Sequence, residues 1–273
     1  MTQPSSRSHH PTRRRRQLPD LLLPLTVLAL LLAGWQAAVW FFRISPVLFP
    51  GPILVLQAGW KIRWQLSEAA LRTAAAAATG LAVGTAAGTL TAFAFSQSGA
   101  IRRAFYPYAV LLQTVPIIAI APIVIVTLGR GFISVALVAA ILSLFPIITN
   151  TTTGLLQVST DLQDLFRLNR ATRWQTLIHL RVPAALPYLL SGIRISSGSA
   201  IVGAIVGEFF VGSGTPGLGA LIQRKSASLV LSELYAVVLI STLLGTLSFG
   251  GISALGEAIL RRWFGMSLSE ARR

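Results

Sequence analysis

The sequence contains no cysteine, only two lysines, three histidines and eight acidic residues. Without cysteine, neither a disulfide nor a thiolate metal site can form. Neither lysine, Lys61 or Lys225, follows a glycine, so the GxxxxGK[ST] phosphate-binding loop of many ATPases cannot be built. The histidines at positions 9, 10 and 179 are not spaced as metal ligands. The sequence therefore argues against an enzyme, and we expect no metal site and no cofactor bound to this chain.

Charged residues are scarce as a whole, at 11% of the chain, against about 25% in soluble proteins. Hydrophobic residues make up 53%, and the mean hydropathy is +0.70. Lysine and arginine nevertheless outnumber acidic residues 23 to 8, for a net charge of +15. A soluble nucleic-acid-binding protein can be this basic, but it would not contain apolar runs of about 20 residues. The composition predicts a polytopic membrane protein without a nucleic-acid partner.

The distribution of apolar residues predicts an all-α bundle of about six transmembrane helices. Segment 21–42 has 22 residues without a charge, which exceeds the apolar core of about 7–15 residues in a cleaved signal peptide. It is therefore predicted to be the first transmembrane helix rather than a signal peptide. Further spans are predicted at roughly 69–96, 107–128, 132–155, 183–210 and 231–257. The span at 107–128 contains Pro116 and Pro122 and is expected to be bent.

Lysine and arginine are unevenly distributed among the tails and loops outside these spans. Fifteen lie on the side of the N-terminus and six on the other side. Because short cytoplasmic loops carry the excess of basic residues, both termini are predicted to be cytoplasmic, with basic tails at 1–20 and 263–273. The same charges would attract the anionic lipid headgroups of the membrane.

Small residues recur within the second predicted span. Gly80, Gly84 and Gly88 are four residues apart, a spacing that lets another membrane helix approach closely.

Segment 44–67, which has two tryptophans four residues apart, is predicted to contain a short helix at the membrane interface. The glycine-rich segment 211–228 is predicted to be an outer loop, partly re-entrant.

Segment 156–182 interrupts the apolar pattern with four arginines and two aspartates, and it is long enough to have its own structure and function. It predicts two short amphipathic helices. Thr172 and Gln175 fit a capping box, so the first helix is expected to end near Asn169 and the second to begin at Thr172. The apolar face of the first helix would contain Leu162, Leu165 and Phe166, and that of the second Trp174, Leu177 and Ile178.

This part of the sequence resembles the EAA loop of binding-protein-dependent ABC importer permeases. The loop pattern is EAA, three residues, Gly, nine residues and then I-x-L-P. Asp164 falls at the Glu position, Leu165 and Phe166 at the two Ala positions, Arg170 at the Gly and Pro183 at the Pro. The segments QTVPIIAIAPIVIVTLG, FPIITNTTTGL and GEFFVGSGTPGLGALI are similar to the nitrate/sulfonate/taurine branch of the same family.

The resemblance implies a multi-pass permease subunit in the bacterial inner membrane, with a permease core over 43–262 that includes the coupling loop at 156–182. It implies a second permease copy in a homodimer, two cytosolic ATPase subunits that bind the ATP, and an extracytoplasmic solute-binding protein. A nitrate-, sulfonate- or taurine-like anion is the favoured solute, although bicarbonate and pyrimidine-precursor importers have similar motifs.

The resemblance also implies that the loop docks onto the ATPase and moves with it. The implied coupling residues are Asp164, Leu165, Phe166, Arg170, Ala171, Thr172, Arg173, Trp174, Gln175 and Pro183.

Four polar residues within or near the spans are candidates for the translocation pathway, namely Gln113, Asn150, Arg194 and Glu208. Arg194 lies about 11 residues into the fifth span, roughly 16 Å deep. Inserting an arginine at this depth of the membrane costs about 2.5–3.5 kcal/mol of free energy. Arg194 is expected either to attract an anionic substrate or to reach the headgroups as a structural residue. Glu208 lies near the outer boundary and is predicted to act as a gate or as an anchor between helices.

Two other functions are compatible with the sequence. An ATP-independent secondary transporter or channel would need carboxylates deep in the membrane for a coupling ion, but Glu208, Glu233 and Glu257 all lie near the ends of spans. A structural membrane anchor is a third possibility. The glycine ridge and the many prolines fit a bundle that moves better than they fit a static membrane anchor.

Overall fold

The computed structural model describes residues 18–211 and 216–264, so most of the two predicted tails lies outside the described residues. The described residues form a bundle of α-helices. The helices are α1 (Leu18–Phe41), α2 (Pro52–Lys61), α3 (Arg63–Gln97), α4 (Gly99–Thr114), α5 (Ile117–Leu128), α6 (Phe132–Leu156), α7 (Thr160–Leu168), α8 (Arg173–Thr176), α9 (Val182–Val211), α10 (Leu218–Ala227) and α11 (Leu231–Phe264). A π-helical segment, Leu177–Arg181, joins α8 to α9.

Five of the described helices are long and apolar enough to cross a membrane, and α4 with α5 makes a sixth when this bent pair is counted as one span. The spans are α1, α3, α4–α5, α6, the continuous helix from α8 through α9, and α11. The predicted all-α membrane bundle of about six spans is therefore confirmed.

The third span is bent by 97° between α4 and α5. The break lies at Val115 and Pro116, where Val115 adopts an extended conformation with φ −69° and ψ 125°. A residue that precedes proline is disfavoured in the helical conformation by contact with the proline ring. The predicted bend is confirmed. It occurs at Pro116, whereas Pro122 lies within α5.

The glycine ridge of α3 packs directly against α6. A Cβ atom on Gly80 would lie 2.5 Å from the carbonyl oxygen of Ala136, and one on Gly88 would lie 2.8 Å from a methyl carbon of Ile147. The predicted close contact is confirmed. Because residue numbers rise together along this contact, α3 and α6 run parallel, and α4–α5 must carry the chain back across the bundle.

Helix α9 packs antiparallel to α6 on its other side. A Cβ on Gly154 in α6 would lie 2.7 Å from the Cβ of Tyr188, and one on Gly203 in α9 would lie 2.8 Å from the Cα of Ala139. Helix α6 is therefore enclosed between α3 and α9 at the centre of the bundle. The core where these three helices meet is built mainly from alanine, as suits helices that associate within lipid. It includes Ala76, Ala77, Val135, Ala139, Ala200, Ile201 and Ala204.

The segment predicted to form one short interfacial helix contains α2 and the start of α3. The helix breaks at Ile62, so Trp60 ends up in α2 and Trp64 in α3. Both indoles contact Arg63, whose guanidinium carbon lies 4.9 Å from the ring centroid of Trp60 and 5.5 Å from that of Trp64. This cation–π arrangement holds the junction between the two helices.

The fifth span begins earlier than predicted. The sequence suggested a separate short helix followed by a new helix at Pro183, but one helix runs from Arg173 to Phe210. Pro183 has no N–H and its ring would clash with the carbonyl group four residues before it in an α-helix. The π-helical segment widens the turn at this point, and the backbone N–H of Val182 donates to the carbonyl oxygen of Leu177 instead. Pro183 therefore lies inside the helix and does not start it.

Candidate functional site

The turn between α7 and α8 is closed by a left-handed residue. Arg170 has φ +53°, and its N–H donates to the carbonyl oxygen of Arg167 at 2.9 Å. The N–H of Ala171 donates to the carbonyl oxygen of Phe166 at 3.0 Å. These two bonds form the Schellman motif that commonly ends a helix with glycine. Arg170 thus adopts the conformation that the glycine of the EAA pattern favours.

The predicted capping box is present where α8 begins. The backbone N–H of Gln175 donates to the Oγ1 of Thr172 at 3.2 Å, and the backbone N–H of Thr172 donates to the Oε1 of Gln175 at 2.8 Å. Helix α7 ends at Leu168 with Asn169 as its C-cap, which agrees with the predicted end near Asn169. The sequence therefore located both the end of the first loop helix and the start of the second.

The loop exposes apolar side chains on both of its helices. Helix α7 has no buried residue, and the side chain of Leu165 is 51% exposed. Phe166 is half-buried, while Trp174 at the start of α8 is 71% exposed. Asp164 forms an exposed ion pair with Arg167 at 3.2 Å. The loop thus presents an apolar surface, rimmed by charge, that other parts of the described chain do not cover.

The predicted apolar face of the second loop helix is wrong. Leu177 is only 5% exposed, whereas Trp174 and Ile178 remain exposed. The π-helical segment begins at Leu177 and has more residues per turn than an α-helix, so the spacing expected for an α-helix no longer places these residues together. Leu177 instead packs in a cluster with Ala92, Leu155 and Ala185.

The loop is attached to the end of α3. The Leu177 cluster includes Ala92 of α3, and the Nη1 of Arg181 donates to the carbonyl oxygen of Ser96 at 3.0 Å. Ser96 is close to the C-terminal end of α3, where carbonyl groups lack partners within the helix. Arg181 was not among the residues selected from the sequence, since a lone arginine in a basic loop carries no signal of this contact.

Glu208 lies at the opposite end of the bundle and is 7% exposed. Its carboxylate oxygens lie 2.8 and 2.9 Å from the Oγ1 of Thr73 in α3, which donates to them. The backbone N–H of Gly219 also donates to this carboxylate at 3.0 Å. The N–H of Leu218 donates to the Oγ1 of Thr73 at 2.9 Å. The first two N–H groups of α10 are thus satisfied by α9 and α3, as an anchor between helices requires.

Helix α10 is further fixed by its packing. A Cβ on Gly219 would lie 2.0 Å from the carbonyl oxygen of Ile205, so α10 touches the backbone of α9. Leu218 and Leu221 are fully buried, and Lys225 forms an ion pair with Glu233 of α11. The segment predicted to be a glycine-rich outer loop therefore contains a helix whose first half is buried, while its residues 212–215 lie outside the described residues.

The other pathway candidates do not join Glu208 in one cluster. Arg194 lies about 21 Å from Glu208 along α9, and its guanidinium carbon lies 4.5 Å from the ring centroid of Phe249 in α11. Its Nε is buried without a hydrogen-bond partner among the described residues. The amide of Asn150 donates to the carbonyl oxygen of Pro146 in its own helix. Gln113 is exposed beside the α4–α5 break.

A family model described as "Binding-protein-dependent transport system inner membrane component" matches residues 84–262, which include the loop, α9, α10 and most of α11. The chain belongs to this family. It is the permease subunit of an ABC importer and not an enzyme, and it resides in the inner membrane. Members of the family work with an ATPase and a solute-binding protein. The resemblance first suggested by the EAA-like loop is confirmed.

Curated relatives of the permease match it over most of their length. It is 32% identical over 255 residues to a riboflavin transport system permease protein of Chloroflexus aurantiacus, covering 92% of each chain. It is 32% identical over 243 residues to a formylaminopyrimidine transport permease protein of Halalkalibacterium halodurans, covering 89% of this chain and 96% of the other. A nitrate import permease protein of Synechocystis is 26% identical over 248 residues, covering 84% and 86%.

A solved structure supports the fold. The permease superposes with a TM-score of 0.59 on a chain from inward-facing conformations of the MetNI methionine ABC transporter, covering 74% of this chain and 97% of that one at 18% identity. At this identity the likeness supports the fold alone.

Proposed function

We propose that the permease is coupled to its ATPase through α7, the α7–α8 turn and α8. The observation that carries this proposal is the apolar surface on α7 and α8, where Leu165 and Trp174 are more than half exposed beside charged side chains. An amphipathic helix that docks in a groove needs such anchors. The residues assigned to coupling are Asp164, Leu165, Phe166, Arg170, Ala171, Thr172, Arg173, Trp174, Gln175 and Pro183.

The proposed orientation places this loop and both termini in the cytoplasm. It is supported by the excess of arginine at this end of the bundle. Helices α3 and α6 run parallel and α9 runs antiparallel to them, which puts the loop at the end of the bundle opposite α10. Helix α10 would then face the solute-binding protein, and two copies of the permease would enclose the pathway.

Site-specific cross-linking tests the docking proposal cleanly because the chain has no cysteine. Leu165→Cys is expected to cross-link to the ATPase subunit in membranes through a short thiol-to-amine reagent. Ser67→Cys, an exposed position near the start of α3, is the matched control and should not. Equal cross-linking from both positions, or none from Leu165→Cys in an assembled complex, would contradict the proposal.

For the substrate, we propose a small nitrogen heterocycle of the flavin or pyrimidine type. The riboflavin and formylaminopyrimidine permeases share 32% identity with this chain over at least 89% of its length, against 26% for the nitrate permease. A nitrate- or sulfonate-like anion is the second candidate, and the intramembrane guanidinium of Arg194 favours it. Asn150, Gln113 and Glu208 are the other residues proposed for the pathway, with Glu208 acting on it through α10.

Uptake by proteoliposomes that contain the permease, its ATPase and its binding protein separates the two classes of solute. ATP-dependent uptake of labelled riboflavin or formylaminopyrimidine, with no uptake of nitrate or taurine, is the expected result. ATP-dependent uptake of nitrate or taurine alone would show that the substrate is an anion and not a heterocycle. The assignment as an ABC permease would stand in either case.

A further inference from the structure

A polar cavity of about 390 Å³ lies between the C-terminal end of α3 and the loop that follows α6. This volume falls in the range of about 300–1,000 Å³ that is usual for small-ligand sites. None of the described residues that line the cavity is acidic. Those that matter for its chemistry are Ser96, Gln163, Arg167, Arg173, Thr176 and Arg181.

Three arginines from three elements meet at this cavity. Arg167 comes from α7, Arg173 from the start of α8 and Arg181 from the π-helical segment. The bond from Arg181 to Ser96 uses one N–H group, and a guanidinium carries four more. The ion pair between Arg167 and Asp164 is exposed, so water screens it strongly. The cavity therefore gathers three positive charges with no acidic residue in its described lining, which favours a bound anion.

We propose that this cavity binds an anion that carries a phosphate group, supplied either by a lipid headgroup or by a free phosphate in solution. The planar fork of a guanidinium matches two oxygens of a phosphate at once. The hydroxyl of Thr176 and the amide of Gln163 add neutral hydrogen-bonding groups to the lining.

A bound anion would link α7, α8 and the π-helical segment to one another at the end of α3. These are the elements that we propose transmit motion from the ATPase, so the anion would tune coupling without being transported. The site goes beyond the proposed transport function, since its occupancy can be measured on the permease alone.

The test measures binding to the full chain at low ionic strength, because salt screens such contacts. One arm uses equilibrium dialysis of labelled inorganic phosphate against the permease in neutral phosphatidylcholine nanodiscs. The other arm uses native mass spectrometry of the detergent-solubilised chain with phosphatidylglycerol. Binding in either arm is expected, and the arm that responds identifies the source of the phosphate group.

Arg173→Gln and Arg181→Gln are expected to weaken binding by at least about tenfold. Arg262→Gln, which removes an exposed arginine of α11, is the matched control and should bind as the unmodified chain does. Arg181 also contacts Ser96, so Arg173→Gln decides the matter if Arg181→Gln does not fold.

The proposal is overturned if neither probe binds, or if Arg173→Gln and Arg262→Gln bind equally well. Where neither probe binds, a further experiment identifies what the cavity does. If Arg173→Glu abolishes association with the ATPase and a reversed charge on the ATPase restores it, the cavity receives a carboxylate of the ATPase subunit.

Discussion

Arg170 shows how one residue can preserve a turn at a cost. Its φ of +53° closes the Schellman motif between α7 and α8, where the EAA pattern has glycine. A left-handed conformation costs a residue with a Cβ roughly 1–2 kcal/mol. The hydrogen bonds of the motif and the capping box at Thr172 outweigh that cost. The motif has therefore lost its glycine without losing its geometry.

Arg170→Gly is expected to stabilise the turn by about 1 kcal/mol, since glycine adopts this conformation without a steric penalty. Local opening of the turn should fall by about fivefold, as measured by hydrogen–deuterium exchange of the backbone amide of Ala171. Arg170→Ala removes the same side chain but keeps the penalty, so it serves as the control. Equal protection in the two variants would show that the turn is not strained.

Glu208 illustrates a buried carboxyl group that accepts hydrogen bonds from two neighbouring helices. Glu208→Ala would leave the N–H of Gly219 without its acceptor, and the hydroxyl of Thr73 would keep only the carbonyl oxygen of Ala69 in its own helix. We expect a loss of roughly 2–4 kcal/mol in the free energy of unfolding, measured by denaturant titration in detergent. Glu257→Ala, which removes an exposed carboxylate paired with Arg261, should change it by less than about 1 kcal/mol. Similar losses in both variants would contradict the anchoring role.

At the scale of helices, the close approach of α3, α6 and α9 depends on residues that lack large side chains. At Gly80, even a single methyl group would meet both a backbone oxygen and the Cβ of Ala139 at 2.5 Å. Real Cβ atoms do not approach so closely, so one helix must move. The distance between α3 and α6 therefore depends on the absence of a Cβ atom at Gly80.

Gly80→Ala is expected to destabilise the bundle by roughly 1–3 kcal/mol through overpacking. Gly198→Ala provides a matched control in α9, because a Cβ there would meet no atom within 4 Å. That change should be neutral or slightly stabilising, since alanine is the better helix former. Unfolding midpoints in a mixed-micelle titration measure both effects. A Gly80→Ala variant as stable as Gly198→Ala would show that the two helices separate freely.

The elements that the sequence predicted well are those with a strong local signal. Long apolar runs located the spans, the glycine spacing located the face of α3 that another helix approaches, and Thr172 with Gln175 located the capping box. The π-helical segment was missed because its signal, Pro183, is identical to that of a helix start. Thr73 was missed because a hydroxyl in an alanine-rich span has no local pattern that reveals a partner 135 residues away. Long-range contacts of this kind require the fold.

At the scale of the whole molecule, α3 connects two structured ends. Near its start it holds Glu208 and α10 through Thr73. Near its end it holds the loop through Ala92 and Ser96. With 35 residues it spans about 52 Å, enough to cross a bilayer and emerge on both sides. A displacement of the loop by the ATPase would therefore reach α10 through one continuous helix packed against α6.

The most direct test of this coupling is ATP-driven solute uptake by proteoliposomes that contain Trp174→Glu. We expect uptake to be lost, with ATP hydrolysis no longer linked to transport, because a charge replaces an exposed apolar anchor of the loop. Trp64→Glu, an equally exposed tryptophan near the other end of α3, should keep ATP-driven uptake. Uptake that survives in the Trp174→Glu variant, or that proceeds in the unmodified protein without ATP, would contradict the account.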